Sequence, residues 1–454
     1  MRRVRALGYS CAMEYRDIFA GKRITLMGLG LLGRGVGDAE FLARSGAQVL
    51  VTDKKSEAEL APSVEALKKY SNITFKLGGH DMKDFTTCDM VVKAAGVRLD
   101  SPEIAAACAA GVPVMMSTAL FAKYARDAGA TIVGVTGTRG KSSVTHMIFH
   151  TLKTAGRPTI LGGNVRNIST LAMLPDVHEG DIAVLELDSW QLQGFGELQL
   201  SPQIALFTNL MSDHQDYYKN VDEYFADKAN IFNYQREGDS LFVGEGVLRR
   251  VKAMKPAATL HVPSPIPNEW SLQVVGEHNR ENAAFAAAAL SVLGLSQEEI
   301  KTGLASFVPV EGRLQFVREV NGMKIYNDNN ATTPEATVAA LKALGKNITL
   351  IAGGSEKGLP LDELVAEIKK DVSQVILLTH EKYKGSERLA EIFKREEVAF
   401  LGADSIENAL RAALSLAHGG TILFSPAFAS FGMFKNEYER NDEFLRLVRT
   451  ADAS

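Results

Sequence analysis

The sequence predicts an α/β protein of three domains, and three observations carry that prediction. Its 454 residues amount to about three domains at roughly 150 residues each. From residue 23 onward, short apolar runs bounded by glycine alternate with helical stretches, which is the pattern of parallel βα units. Two glycine-rich turns stand directly between a strand-like run and a helix, the junction at which such sheets place their ligands.

Composition narrows the classes. Hydrophobic residues make up 46% and charged residues 23%, with 39 Gly and 14 Pro scattered along the chain, which excludes extended disorder and collagen-like repeats. Fifty Lys and Arg against 54 Asp and Glu leave a net charge of -4. No global field then favours a nucleic acid or an anionic membrane, and neither is expected as a partner. Cys11, Cys88 and Cys108 are odd in number and lack CxxC spacing, so neither a disulfide framework nor a thiolate zinc site is expected, and a reducing cytoplasm fits. Apolar runs break well before the ~18 residues of a membrane helix. The basic Met1-Arg2-Arg3-Val4-Arg5 has no apolar region of roughly 7–15 residues after it, so it is not read as a signal peptide. Met13 is a candidate start, and residues 1–20 are expected to be a flexible extension.

The first domain, 21–124, opens with the strand Arg23-Ile24-Thr25-Leu26-Met27. The turn Gly28-Leu29-Gly30-Leu31-Leu32-Gly33, a helix through Phe41-Leu42-Ala43, and a strand Ala47 to Asp53 follow. Strand, glycine turn, helix, strand and acid in this order are Rossmann-like. Taken alone, Gly28, Gly30, Gly33 and Asp53 read as a dinucleotide site and hence an NAD-dependent oxidoreductase. A lone GxGxxG is a weak signal.

The second domain, 125–308, begins with the apolar run Thr131-Ile132-Val133-Gly134-Val135, followed by Thr136-Gly137-Thr138-Arg139-Gly140-Lys141-Ser142-Ser143 and a helix over Val144 to Thr154. Glycines let backbone amides turn around phosphate oxygens, the helix N-terminus adds positive potential, Lys141 reaches the β/γ-phosphates, and the Ser142 hydroxyl suits Mg²⁺. This is a P-loop-type, ATPase-like block, although the strict motif would need glycine where Val135 stands. Ile182-Ala183-Val184-Leu185 ends in Glu186, and Ile204-Ala205-Leu206-Phe207 leads through Thr208-Asn209 to Asp213-His214. In a parallel sheet the C-terminal strand ends meet at one edge, so Lys141, Glu186 and His214 converge in a metal-site geometry. Singly, Glu186 is an ordinary strand-end acid and His214 an ordinary loop histidine. Lys228 lies on a helical stretch where Tyr224, Lys228 and Phe232 share a face, and without context it is a surface lysine. Gly276-Glu277-His278-Asn279 precedes an alanine-rich helix, where its amides serve a base or ribose or cap the helix. Segment 243–270, with Pro256, Pro263, Pro265 and Pro267, reads as loops and short strands.

The third domain, 309–454, is again Rossmann-like. Strands at 347–352, 374–379 and 421–424 alternate with helical patterns such as Pro334 to Leu344, where proline takes the N1 position.

Thr136 to Ser143, Leu185-Glu186-Leu187, Thr208-Asn209 with Asp213-His214, Gly276-Glu277-His278-Asn279, Gly312-Arg313, Asn327-Asp328 and Lys435-Asn436 stand in this order along the chain. From about residue 21 the whole chain resembles the Mur ligases. The tail Ser425 to Asn436 looks most like the D-glutamate-adding branch. The resemblance implies an ATP-dependent ligase joining D-glutamate to UDP-N-acetylmuramoyl-L-alanine through an acyl phosphate, in cytoplasmic peptidoglycan precursor synthesis. A monomer suffices for the implied site. By the same resemblance, Gly137, Thr138, Arg139, Gly140, Lys141, Ser142, Ser143, Asn279, Arg313 and Asp328 bind ATP. Ser142, Glu186, His214 and a carbamoylated Lys228 hold Mg²⁺, two ions in all. Gly28, Gly30, Gly33, Asp53 and Asn164 face the UDP-linked substrate, and Thr332, Lys357, Ser430 and Phe431 face glutamate. Three positions depart from the pattern: Arg139 where asparagine is usual, Asn330 where the D-glutamate branch carries lysine, and Glu437 at a place often aromatic. Addition of another amino acid or of L-glutamate stays open as an alternative, as does a nucleotide-binding regulator without ligase activity.

Overall fold

The structure, a computed structural model, describes residues 15–31, 33–211, 217–416 and 419–451. It is a three-domain α/β architecture built on three sheets. Two compact units divide the chain. Met1–Ser264 with Phe285–Glu299 holds the first two sheets, and Pro265–Ala284 with Ile300–Ser454 holds the third.

In the first unit, one sheet runs Ile73–Leu77, Gln48–Asp53, Arg23–Met27, Met90–Lys93 and Val114–Met115 from edge to edge, and every pairing is parallel. The other runs Thr259–His261, Ser240–Val243, Ile204–Phe207, Thr131–Thr136, Ile182–Glu186 and Thr159–Gly163, also parallel. Central strands covered on both faces must be apolar throughout. Ile132, Val133 and Val135 are accordingly buried, whereas the edge strand Ile73–Leu77 alternates buried and exposed positions. A single continuous core joins the two sheets, from Phe19, Ile24 and Val51 to Leu185, Phe207 and Leu241.

In the second unit, the order is Gln315–Val320, Met323–Asn327, Gly420–Phe424, Ile348–Ala352, Val372–Leu378 and Leu401–Ala403. Its core lies on both faces of this sheet, around Leu350, Leu377 and Leu423 on one side and Ile351, Ile376 and Phe444 on the other.

Three local features differ from the sequence reading. Tyr15–Phe19, placed in the flexible extension 1–20, is a helical turn with Phe19 fully buried and the Tyr15 hydroxyl donating to Leu174 O at 2.9 Å. Glu245–Ala253 is a helix within segment 243–270, because all four prolines lie beyond it and its charges suit the macrodipole, Glu245 first and Arg250 and Lys252 last. Strand Gln315–Val320 pairs antiparallel with Met323–Asn327. The connecting Asn321-Gly322 has φ of 51° and 76°, the two left-handed residues that a tight hairpin demands.

One buried acid gives the first unit a pH dependence. Asp38, on helix Arg34–Arg44, accepts a 2.6 Å hydrogen bond from Ser169 Oγ. Burial pushes its carboxyl from 3.8 up to about 6, against the opposing pull of Ser169, Ser117 and Arg34. Because the folded value lies above the unfolded one, the native state binds the extra proton. This group therefore favours folding most below pH ~4, and that advantage is lost as pH rises through about 6. Asp38→Asn keeps an acceptor for Ser169 and removes the buried charge. It is expected to stabilise the protein by about 3 kcal/mol above pH 7 and to be near neutral at pH ~4. Thermal midpoints of both forms at the two pH values check this, and an equal difference at both would remove Asp38 as the cause.

Candidate active site

After strand Thr131–Thr136 the chain turns at Gly137 (φ 144°) and enters helix Lys141–Thr154 through Gly140 (φ 82°). Glycine is required at both. An added Cβ on Gly137 would stand 2.0 Å from Thr208 Oγ1, and left-handed Gly140 turns the first helical amides toward a common point. The loop is strapped from the neighbouring strand. Thr208 Oγ1 donates to Arg139 O at 2.6 Å, Arg139 N donates to Asn209 Oδ1 at 2.8 Å, Thr138 N to Asn209 O at 3.0 Å, and Met211 N to Thr138 Oγ1 at 2.9 Å. Thr208 and Asn209, singled out in the sequence only by resemblance, hold the turn in shape.

Two lysines meet at this turn. Lys141 Nζ donates to Gly137 O at 2.8 Å and Thr138 O at 3.1 Å. Lys228 Nζ donates to the same Gly137 O at 3.0 Å and lies 3.3 Å from Thr136 Oγ1. Lys228 is 1% exposed, so the surface-lysine reading is wrong for it. Its ammonium sits 4.6 Å from the Tyr224 ring centroid, the i, i+4 pair expected on helix Val221–Ala229. That helix ends before Phe232, which is buried from the following turn. The neighbouring Asp227 accepts from Gln193 Nε2 at 2.8 Å and from the Tyr218 hydroxyl at 2.9 Å, and burial holds its carboxyl above the usual range.

Glu186 closes strand Ile182–Glu186 and is buried. It stands in register with Val135 on one side and Gly163 on the other. Asn164 N donates to Glu186 O at 2.8 Å, and a Cβ on Gly163 (φ 87°) would lie 2.0 Å from that oxygen, so glycine alone permits this approach. One sheet edge thus gathers the phosphate turn, Glu186 and Asn164. His214 lies outside the described residues. Among the described residues no group of three or more His, Cys, Asp or Glu is placed to hold a metal. Ser142, in the first helical turn, and Glu186 are hard oxygen donors of the kind Mg²⁺ takes beside phosphate.

In the first sheet, Gly28, Gly30 and Gly33 have φ of 95°, 65° and 77°, and a Cβ on Gly28 would come 2.8 Å from Ala94 Cβ. The Asp53 carboxylate does not point outward to a ribose. Its Oδ2 accepts from Leu29 N at 2.9 Å and Gly30 N at 3.3 Å, and its Oδ1 from Lys55 N at 3.0 Å. Sequence reasoning missed Lys93, at the end of the apolar run Met90–Lys93. It is 2% exposed and donates to Val97 O at 2.9 Å. Burial pushes it down to about 8, against the pull of Asp188, Asp227 and Glu197. A lysine closing a strand of Met and Val was the available signal.

In the second unit, Asp328 Oδ1 accepts from Leu314 N at 3.0 Å and Oδ2 from Ser425 Oγ at 2.9 Å, which fixes the turn carrying Arg313. Asn279 ties its own helix turn, donating to Val275 O at 2.8 Å and accepting from Asn282 Nδ2 at 3.1 Å. Lys357 Nζ donates to Thr332 Oγ1 at 3.3 Å. Backbone bonds between Ser355 and Ala429, at 2.9 and 3.1 Å, zip the Lys357 loop to the loop of Ser430 and Phe431. Ser430 is buried and Phe431 is exposed. Behind them the fully buried Arg440, also missed, donates to Asn329 Oδ1 and Asn329 O at 2.8 Å each and to Phe428 O at 3.2 Å.

Comparison with known proteins places these parts in one frame. Residues 22–116 match the Mur ligase MurD-like N-terminal domain, 135–262 the Mur ligase middle domain, and 312–428 the Mur ligase glutamate ligase domain. The chain is 35% identical to UDP-N-acetylmuramoylalanine--D-glutamate ligase of Roseiflexus sp. (strain RS-1), over 95% of this chain and 99% of that protein. It is 32% identical to the protein of the same name from Borreliella burgdorferi (strain ZS7), over 93% and 96%. Among solved structures, UDP-N-acetylmuramate-alanine ligase MurC from Thermotoga maritima shares the fold, with TM-score 0.61, 18% identity and coverage of 95% of this chain and 100% of that one. FolC of E. coli in complex with ADP does so over 74% and 94%, with TM-score 0.54 and 18% identity.

Proposed function

The chain belongs to the Mur ligase family, and we propose that it joins D-glutamate to UDP-N-acetylmuramoyl-L-alanine with hydrolysis of ATP to ADP and phosphate. It is an ATP-dependent amide ligase of peptidoglycan synthesis. The dehydrogenase reading of Gly28 to Asp53 falls with the MurD-like match of that same segment.

The observation that carries the chemistry is the crowding of Lys141 and Lys228 on Gly137 O beside Glu186. A carboxylate does not react with an amine unaided. In the proposed route a carboxylate oxygen of the UDP-linked substrate attacks the γ-phosphorus and ADP leaves. The glutamate amine then attacks the acyl carbon, the C–O bond breaks, and phosphate and a proton depart. Lys141 and the Gly137 to Ser143 amides, with Thr138, Arg139, Gly140 and Ser142, would neutralise charge as it moves to the leaving oxygens. Ser142, Glu186, His214 and carbamoylated Lys228 are the proposed Mg²⁺ ligands, the metal supplying electrostatic shielding of the phosphates. Asn164 and the Gly28 to Gly33 turn, held by Asp53, are the proposed contacts of the UDP-linked substrate. Asn279, Arg313 and Asp328 are the proposed nucleotide contacts of the second unit, and Thr332, Lys357, Ser430 and Phe431 those of glutamate. We place the enzyme in the cytoplasm and read it as a monomer. Among the described residues no helix is long and apolar enough to cross a membrane.

The test is ADP release with each substrate omitted in turn. Sustained release over many turnovers is expected only with UDP-N-acetylmuramoyl-L-alanine and D-glutamate both present, since without glutamate the route stops at the acyl phosphate. Insensitivity to both would end the ligase reading, and faster release with L-glutamate or another amino acid would move the chain to that substrate.

A further inference from the structure

We propose that Arg388 receives the side-chain carboxylate of the incoming amino acid, and that Glu356 occupies Arg388 until that carboxylate arrives. The inference deepens the ligase reading and rests on it. A small cavity in the second unit is lined by Thr332, Pro334, Glu356, Lys357, Arg388 and Phe428, among others. Two cationic side chains, Lys357 and Arg388, are part of its lining. Lys357 marks one end by its bond to Thr332 Oγ1 at 3.3 Å, four residues after the proposed nucleotide contact Asp328. Arg388 enters from helix Lys384–Arg395, its Nη1 2.5 Å from Glu356 Oε1 and 3.1 Å from Leu359 O.

An amino dicarboxylate presents two anions and one amine. The amine has to stay free to attack, so recognition falls on the carboxylates. Segment 327–332 offers no second cation for them, since Asn330 turns its amide to Glu311 O at 3.3 Å. Arg388 supplies one, and its planar fork suits a carboxylate better than a point charge does. The cavity is about 10 Å³, the room of a single water, so a glutamate enters only if something moves. The Glu356–Arg388 pair is the part that can. Both side chains are at the rim, 31% and 39% exposed, where an ion pair is weak. Exchange of the Glu356 carboxylate for that of the substrate leaves Arg388 paired and releases Glu356 to water. A neutral side chain such as that of glutamine makes a poor replacement for Glu356, so the pair also rejects amides.

The experiment is ADP release by the full chain, with D-glutamate varied against saturating ATP and UDP-linked substrate. Arg388→Gln is expected to raise the glutamate KM about 10- to 100-fold, the loss typical of one charge-assisted hydrogen bond, with the KM for ATP changed by less than about twofold. Arg388→Lys should recover part of the loss. Glu356→Gln, which removes the competitor, is expected to lower the glutamate KM about threefold and to raise turnover of glutamine. Opposite signs for the two variants are the signature, because damage to the fold moves both the same way. A rise in KM in both variants, or a glutamate KM within about twofold in Arg388→Gln, overturns the proposal while leaving the ligase reading intact. A parent enzyme that releases no ADP with any amino acid overturns both.

Discussion

Lys141→Ala is expected to lower ADP release at saturating substrates by about a thousandfold or more, with the thermal midpoint nearly unchanged. A thousandfold corresponds to about 4 kcal/mol of transition-state stabilisation, the scale lost when a cation that meets a transferring phosphoryl group is removed. The fold should survive because the turn does not depend on Lys141. Its shape is held by Thr208, Asn209 and Met211, which bond Thr138 and Arg139 from the neighbouring strand end. What alanine removes is the ammonium at Gly137 O and Thr138 O. A loss below about tenfold would take Lys141 out of the phosphoryl transfer.

Lys228→Ala is expected to cost activity about a hundredfold and to regain part of it on addition of formate or acetate. In carbamoylation the ammonium first gives up a proton, the freed amine nitrogen bonds to the carbon of CO₂ and loses a second, so that a cation becomes an anionic oxygen donor. In the proposed site that change would remove one of two positive charges crowded on Gly137 O and would put a hard oxygen ligand at the phosphate turn. Burial of Lys228 to 1% exposure means that truncation leaves a small cavity, and a short carboxylate can occupy it. Rate against formate concentration, with chloride as control, reads the effect. Rescue by chloride equal to that by formate would reduce Lys228 to a packing role, and undiminished activity of the variant would remove it from the site.

The parallel strands were legible because a strand covered on both faces shows as an unbroken apolar run, as Thr131–Thr136 and Ile182–Glu186 do. The phosphate turn was legible because its chemistry lies within eight consecutive residues. Lys228 was harder. Its burial depends on packing against Thr136 and Gly137, 92 and 91 residues away, and helical spacing fixes only which face it shares. The antiparallel edge strand had a signal in Asn321-Gly322 that the regular alternation around it masked. The helix Glu245–Ala253 was hidden by neighbouring prolines that lie past its end. Arg388 and Arg440 gave no local pattern, since a single arginine on an amphipathic helix reads as solvated until its partners in distant loops are known.

The bonds from Leu29 and Gly30 to Asp53 also bear on what the first glycine turn is able to attract. In a dinucleotide site such amides stand ready for a pyrophosphate. Here the chain acts as its own anion, so a phosphate arriving at Leu29 and Gly30 would have to evict a covalently tethered competitor with no entropy of association to lose. The fingerprint survives in the sequence while two of its amides are met from within, so the proposed contact with the UDP moiety would fall to the rest of the Gly28 to Gly33 turn.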